Sequence, residues 1–475
     1  MRTLSLGVIL AIAAGSAWTS FVRAAPPSLP PEPVARLTLR PMATTQPALK
    51  YKLLPELQDQ DQGNAATLYL MASKLGPDEK QAFEQIDRAI EYLARPIDQM
   101  PRDKAGEVLS FFPSRLRLAD LAAHREEAKW DYSFREEGAD ALLPHLNDAR
   151  GFALLWSLQA RLQLLRDDWP AAARSILDGL SLARQLNRQA VLAQALVGSG
   201  IADEMLEQSA RDWISRPDAP NLYWSLSSLP QPFVDLHEVA RWERAIIYFT
   251  FPVLRDARRG TADAGRWRAF FVQLPALNRL PPRRRADTFE NETEAAVLAA
   301  VAYPRARAHL LATGRTAQQV DAMSIDEAVG TYFLDDYRKR ADEAWQAWEL
   351  PFPEGRAAFP KWSVWAIDRR VPREPGANPL TAFASGNPGA RFQFARLDRE
   401  IALLRIVEAV RDYAARHDGQ PPNSLDEIKD LPVPIDPVRG QPFRYERHGQ
   451  DVTIEATSYS EYPRDGERYE LTVVR

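Results

Sequence analysis

The sequence predicts a mainly α protein: an antiparallel helical body followed by a small C-terminal α+β module, a helix packed on a short antiparallel sheet. Three observations predict it. Between Asp148 and Ala210, closely spaced segments repeat apolar residues at a helical period with no proline in their interiors. The last 80 residues switch to apolar alternation around glycine turns. Beyond the leader, no stretch is long and apolar enough to span a membrane.

The first central helix carries Phe152, Leu155, Leu158, Leu162 and Leu165. After the Asp167-Asp168-Trp169-Pro170 turn, the second carries Ala173, Ile176, Leu180 and Ala183, with Leu177 beside them. Both sets fit a period of 3.6 and exclude a period of 2. Pro170 suits a first turn, where its missing N–H would have been unpaired anyway. So short a turn sets the two helices antiparallel, with their stripes facing one another.

At these residues the segment 148–215 resembles a tetratricopeptide repeat. Trp156, Ala160, Trp169, Ala172, Ile176, Gly179 and Leu180 stand where that repeat places its aromatic, small and bulky residues. Arg184 stands where the family usually has proline. A following helix with Val197, Gly198 and Ile201 restarts the pattern roughly 38 residues on, against about 34 in the family. The resemblance covers about one and a half repeats and implies a TPR-like core that binds protein.

Upstream, Arg2 precedes an uncharged run from Thr3 to Val22, and Val22-Arg23-Ala24 supplies the small residues of a cleavage site before Ala25. Residues 1–24 are therefore expected to be a signal peptide, the alternative being an uncleaved N-terminal anchor. Residues 25–47 hold seven prolines and are expected to form a Pro-rich linker outside the core. The helical body is assigned to 48–350. Phe83, Ile86, Ile90 and Leu93 give one stripe; Leu118, Leu121 and Ala122 another, started by Ser114; Leu236, Val239, Ile246 and Ile247 a third. Met323-Ser324-Ile325-Asp326-Glu327 is a capping box opening a helix that runs through Phe333 and Tyr337 to Trp348. A Pro/Gly-rich connection is assigned to 351–395.

The final module, 396–475, has a helix striped by Leu403, Ile406, Val410 and Tyr413 and a second capping box from Ser424 to Glu427. Phe443 and Tyr445 alternate against Val452 and Ile454 around His448-Gly449-Gln450, and Tyr469, Leu471 and Val473 predict a third strand. With Gly419, Pro422, Ser424-Leu425, Ile428, Asp436-Pro437, Gly440 and Pro442, these residues resemble the head of the type II secretion major pseudopilin. Val438 replaces that family's usual tryptophan, and its calcium loop has no clear counterpart. The arrangement as a whole resembles secreted Planctomycete-type proteins of uncharacterised function.

The 475 residues carry a net charge of −4, or −6 without Arg2 and Arg23, which argues against general nucleic-acid binding. The absence of cysteine excludes disulfides, thiol catalysis and cysteine-ligated metals. One segment departs from the acidic average: Arg255 to Arg285 holds nine arginines and two acids. Arg258, Arg259, Arg266, Arg268, Arg283, Arg284 and Arg285 form a candidate anion-binding face; the plainer reading is a solvated surface.

Chemistry is otherwise sparse. The six histidines form no H-E-x-x-H, and Gly198-Ser199-Gly200 lacks nucleophile-elbow spacing. No phosphate loop or dinucleotide fingerprint occurs, and neighbouring acids such as Asp203-Glu204 and Asp335-Asp336 diverge by about 100° on a helix. No catalytic residue, metal ligand or cofactor is assigned. The expectation is an exported (periplasmic or extracellular) non-catalytic helical scaffold binding a protein or cell-envelope component, with no nucleic acid and no membrane span after signal cleavage. The alternative is a secreted, hydrolase-like enzyme whose site assembles from distant carboxylates and arginines.

Overall fold

The computed structural model describes residues 34–130, 133–141, 143–188, 191–278, 288–360, 374–384, 386–459 and 466–474. The expected signal peptide, the first part of the expected linker, and Arg283, Arg284 and Arg285 lie outside the described residues.

The described residues are mainly helical, with a four-stranded sheet that draws three of its strands from the C-terminal end and a two-stranded parallel sheet formed by Asp61–Asn64 and Arg125–Glu127. Strand β1 (Val34–Leu39) is followed by β2 (Asp61–Asn64), then helices α1 (Ala65–Ala72), α2 (Glu79–Leu93), α3 (Arg102–Ser110) and α4 (Pro113–Ala123), then β3 (Arg125–Glu127). The central run is α5 (His145–Leu164), α6 (Trp169–Leu186) and α7 (Leu192–Glu204), which passes through a π-helical segment (Met205–Ala210) into α8 (Arg211–Ser215). Next come α9 (Tyr223–Ser227), α10 (Leu236–Thr250), α11 (Ala264–Asn278), α12 (Thr288–Ala312), α13 (Ile325–Trp345) and α14 (Pro388–Arg416), and then β4 (Arg444–His448), β5 (Asp451–Ala456) and β6 (Glu467–Val473).

The central stripes pack as their period requires. Phe152, Leu155, Leu158 and Leu162 of α5 and Leu165 just past its end are buried, as are Ala173, Ile176, Leu177, Leu180 and Ala183 of α6. Asp168 caps α6 by accepting from Ala171 N at 3.1 Å, and Pro170 sits in its first turn. Helix α6 packs on α5 and on α7. The small residues set how closely: a Cβ on Gly198 would lie 2.8 Å from the carbonyl oxygen of Ala183. Ser324 caps α13 through Glu327 N at 3.1 Å, and Val329, Phe333, Tyr337, Ala341, Ala344 and Trp345 are buried along it.

Four expectations are corrected. The first concerns the linker. Residues 34–39 are a strand, paired parallel with β6 (Leu37↔Leu471), so the sheet is mixed, in the order β1-β6-β5-β4. Between Pro33 and Pro41 the backbone N–H groups are free to pair, and Val-Ala-Arg-Leu-Thr-Leu alternates, burying Leu37 and Leu39. The rest of that segment is tied down too: Met42 N donates to Arg411 O at 3.1 Å and Thr44 N to Asp412 Oδ1 at 2.8 Å.

The second concerns the connection 351–395, from which α14 emerges at Pro388. Asn387 caps it, accepting from Ala390 N at 3.1 Å. The helix has no single apolar stripe at its start because it is buried nearly all round. Arg391, Arg399, Glu400, Glu408, Arg411 and Asp412 are buried along with its apolar residues. It packs against α7 and α9, and it shares one core with the central helices and the sheet. The chain is thus built around α14 as much as around 148–210.

The third concerns α2. Its buried residues are Gln85, Ala89, Tyr92 and Leu93, whereas Phe83 and Ile90 are 62% and 48% exposed. The apolar stripe is turned by roughly a quarter of the helix away from the core. Leu121 on α4 is likewise exposed, with Leu116, Ala119, Ala122 and Ala123 buried in its place. The fourth is the tail's capping box. Ser424 makes no cap; Glu427 accepts from Asn423 N at 2.8 Å instead.

The hairpin follows the expected alternation, with Tyr445↔Ile454 in register and Gly449 in the left-handed region at φ +67°.

Candidate functional site

Among the described residues, the arginines singled out from sequence have different surroundings. Arg258 lies with its guanidinium 5.5 Å from the Tyr248 ring, and Arg259 is exposed. Arg266 pairs with Asp256 and lies 3.7 Å from Asp263, and Arg268 lies 3.6 Å from Asp326. At Arg266 and Arg268 the charge is partly neutralised by Asp256, Asp263 and Asp326. The histidines are scattered as well: His237 meets Glu349 at 2.6 Å, His309 meets Asp335 at 3.2 Å, and His417 stacks on Tyr413. Asp203 and Glu204 diverge, Glu204 accepting from Ser157 at 3.4 Å while Asp203 faces α14. Asp335 and Asp336 likewise take separate partners, His309 and Arg340.

Charged side chains converge instead where α7, α14 and β6 meet. Asp203 comes from the last turn of α7, Glu207 from the π-helical segment and Arg211 from the start of α8. Helix α14 contributes Arg396, Arg399 and Glu400, whose i, i+3, i+4 spacing puts them on one face. Strand β6 contributes Glu467 and Tyr469, which share a face because the strand period is 2. Asp436 reaches in from the loop before β4.

At the centre, the carboxylate of Glu400 is 1% exposed. It accepts from Tyr469 Oη at 2.7 and 2.9 Å and from Arg211 Nε at 3.0 Å, with Arg211 Nη2 at 2.9 Å. The Arg211 guanidinium also lies over the Tyr469 ring, 5.0 Å from its centroid. Arg399 donates to both oxygens of Asp436, at 3.0 and 2.8 Å, the bidentate fork of a strong ion pair. Asp436 is oriented in turn by Val438 N at 2.8 Å. Arg396 pairs with Asp203.

Among the described residues, the cluster is short of positive charge. Asp203, Glu207, Glu400, Asp436 and Glu467 are five carboxylates against three guanidinium groups, Arg211, Arg396 and Arg399. Burial and the neighbouring Glu400 carboxylate push Glu467 up to about 8, against the pull of Arg396, Arg399 and Arg211. Burial raises Asp203 to about 7, opposed by Arg396. Protons thus take up part of the imbalance near neutrality. Among the described residues, Asp203 Oδ1, Arg396 Nε and Glu467 Oε2 are buried without a hydrogen-bond partner. The arrangement can hold three distant parts of the chain together and can hold protons. Glu400, its most buried acid, has both oxygens engaged.

A separate crevice, with room for about one water, is lined by Tyr69, Leu70, Trp130, His145, Asp148 and Phe152. Burial lowers the pKa of His145 and raises that of Asp148. The Trp130 ring is stacked against His145 at 4.6 Å and Tyr69 at 6.1 Å. Among the described residues, no group of three or more acidic or histidine side chains is placed to hold a metal ion. No described helix is long and apolar enough to cross a membrane.

In the sequence Asp203, Asp436 and Tyr469 each stand out for separate local reasons, and no local pattern joins them. The available signals were two helical charge patterns, Asp203/Glu207/Arg211 and Arg396/Arg399/Glu400. Nothing in the sequence pointed to their meeting. The chain matches no protein-family model, no curated protein and no solved structure.

Proposed function

We propose that the protein is an exported, non-catalytic scaffold with a TPR-like central core, and that it binds a protein or cell-envelope partner over the outer face of α2. The observation that carries this reading is the turned stripe of that helix. Phe83 and Ile90, seven residues apart and so on one face, are 62% and 48% exposed while the opposite side packs into the body. A phenylalanine and an isoleucine kept in water on a well-anchored helix are suited to docking. Leu70, Met71, Leu75 and Phe111 on the neighbouring segments are exposed as well. The pseudopilin-like tail and the relationship to secreted Planctomycete-type proteins belong to the same proposal.

The test compares wild type with Phe83→Asp/Ile90→Asp as bait in pull-downs from the native envelope fraction. Both baits should melt alike, since neither side chain is buried, and a partner held by the wild type should be lost from the variant. Equal capture by the two would refute the α2 site.

The enzymatic alternative draws on the ionic cluster, which does assemble from distant carboxylates and arginines. Screening of ester, amide and glycoside hydrolysis by wild type and Asp203→Asn decides it. An activity abolished by that substitution would favour the enzyme.

A further inference from the structure

After α10 the chain turns at Phe251 into a short helix, Pro252–Arg259, whose proline takes the first turn. Val253 and Leu254 are buried, and Ala257 packs against the same core. Gly260 ends the helix in the left-handed region at φ +72°, and Thr261 N closes it by donating to Asp256 O at 2.9 Å. Spacing sets the face that is left. Arg255, Arg258 and Arg259 stand at i, i+3 and i+4, so they share one side of the helix, and all three are exposed.

The acids nearest in sequence are already engaged. Arg266 pairs with Asp256 and lies 3.7 Å from Asp263. Among the described residues, no carboxylate pairs with Arg255, Arg258 or Arg259. Two of the three lie against half-buried rings instead: Arg255 is 5.9 Å from the Phe249 centroid and Arg258 5.5 Å from that of Tyr248. Such contacts position a guanidinium group without neutralising it. The stretch from Arg255 to Arg285 uses arginine throughout and has no lysine, and the guanidinium fork matches phosphate oxygens. Exposed cations hold a single small anion weakly, because water and salt screen them. Their attraction adds up when the partner is itself a charged plane, at about fivefold in affinity for each arginine near an anionic bilayer. The net charge of −4 argues against a nucleic acid.

We infer that the exposed face of the helix Pro252–Arg259 is an electrostatic docking surface for an anionic lipid bilayer, with Arg255, Arg258 and Arg259 engaging its phosphate headgroups. Arginines in a last turn also complement the helix dipole, a role that needs no partner and is read in stability alone. The face is distinct from that of α2, so either reading can fail without the other.

The experiment sediments the full chain with vesicles of phosphatidylglycerol or of phosphatidylcholine at low ionic strength. Any binding through the apolar run Thr3–Val22 is common to both lipids, so the readout is the ratio of the two partition coefficients. Arg255→Gln should lower that ratio about fivefold and Arg258→Gln/Arg259→Gln about 25-fold. The control, Arg102→Gln/Lys104→Gln on α3, should leave it unchanged. All five side chains are exposed, and the variants should melt as the wild type does. A lowered melt with an unchanged ratio is the signature of the dipole role alone and overturns the inference. So does a wild-type ratio near one, a ratio that survives about 0.5 M salt, or an equal fall in the α3 control. Arginine-dependent binding of a single-stranded RNA, without preference for phosphatidylglycerol, overturns it in favour of a nucleic acid.

Discussion

Glu467 and Asp203 sit folded in surroundings that favour their neutral forms, and this has a direct consequence for stability. Their pKa values rise from 4.5 to about 8 and from 3.8 to about 7, chiefly through burial. The folded chain therefore holds protons that the unfolded chain releases, and stability is greatest below the unfolded values and falls as pH climbs through the folded ones. Glu204, Glu243 and Asp398, each raised to about 7 by burial, act in the same direction. Thermal melts should show the midpoint dropping between pH 5 and pH 8.5, with a shallower drop in Glu467→Gln; a midpoint that rises over this range would contradict the assignment. Glu400 differs, because both its oxygens are engaged by Arg211 and Tyr469. Glu400→Ala leaves a partly buried guanidinium and a buried hydroxyl without their acceptor. It should cost about 3–5 kcal/mol, read from chemical denaturation at neutral pH.

At the scale of elements, close approach of α6 and α7 is what the small residues secure. At Gly198 an added Cβ would meet a backbone carbonyl, Ala183 O, which cannot step aside without moving α6. At Gly179 it would meet the Met205 side chain, which is flexible and can turn away. Gly198→Ala should therefore destabilise more than Gly179→Ala, by about 1–3 kcal/mol against less for the latter. Ala172, fully buried on α6, should tolerate tryptophan no better: Ala172→Trp is expected to lose about 1–3 kcal/mol in the same assay. A wild-type melt for Ala172→Trp would mean that the pair is loosely packed.

At the scale of the whole molecule, the tail is wired into the rest of the chain at several places. Strand β1 completes its sheet from the far end of the sequence. Arg411 of α14 donates to Arg40 O at 3.1 Å and to Ala219 O at 2.6 Å. Arg211 from the helical body pairs with Glu400 beneath β6. A fragment of residues 396–475 would expose the β6 edge and leave these buried charges unpaired. It should give poorly dispersed amide signals and no cooperative melt on its own, and adding a peptide of residues 34–53 should improve the dispersion. A sharp melt from the fragment alone would show the contacts to be dispensable.

The sequence by itself determined what depends on near neighbours along the chain. The central helices, the capped α13, the Gly449 hairpin and the third strand were legible because period, capping and turn chemistry act within a few residues. The divergence of Asp203 from Glu204 was legible for the same reason. The tertiary structure alone decided which face of α2 is buried, since the core of α2 uses Gln85 and Ala89 in place of Phe83 and Ile90. It alone joined β1 to β6 across more than 400 residues, a pairing that strand propensity cannot address to a partner. It also made α14 a central helix by matching buried charges from distant segments, so Arg399 and Glu400, which no local pattern marks for burial, became part of the core. The ionic cluster was hidden on the same account: charge complementarity between α7, α14 and β6 exists only once the fold has brought them together.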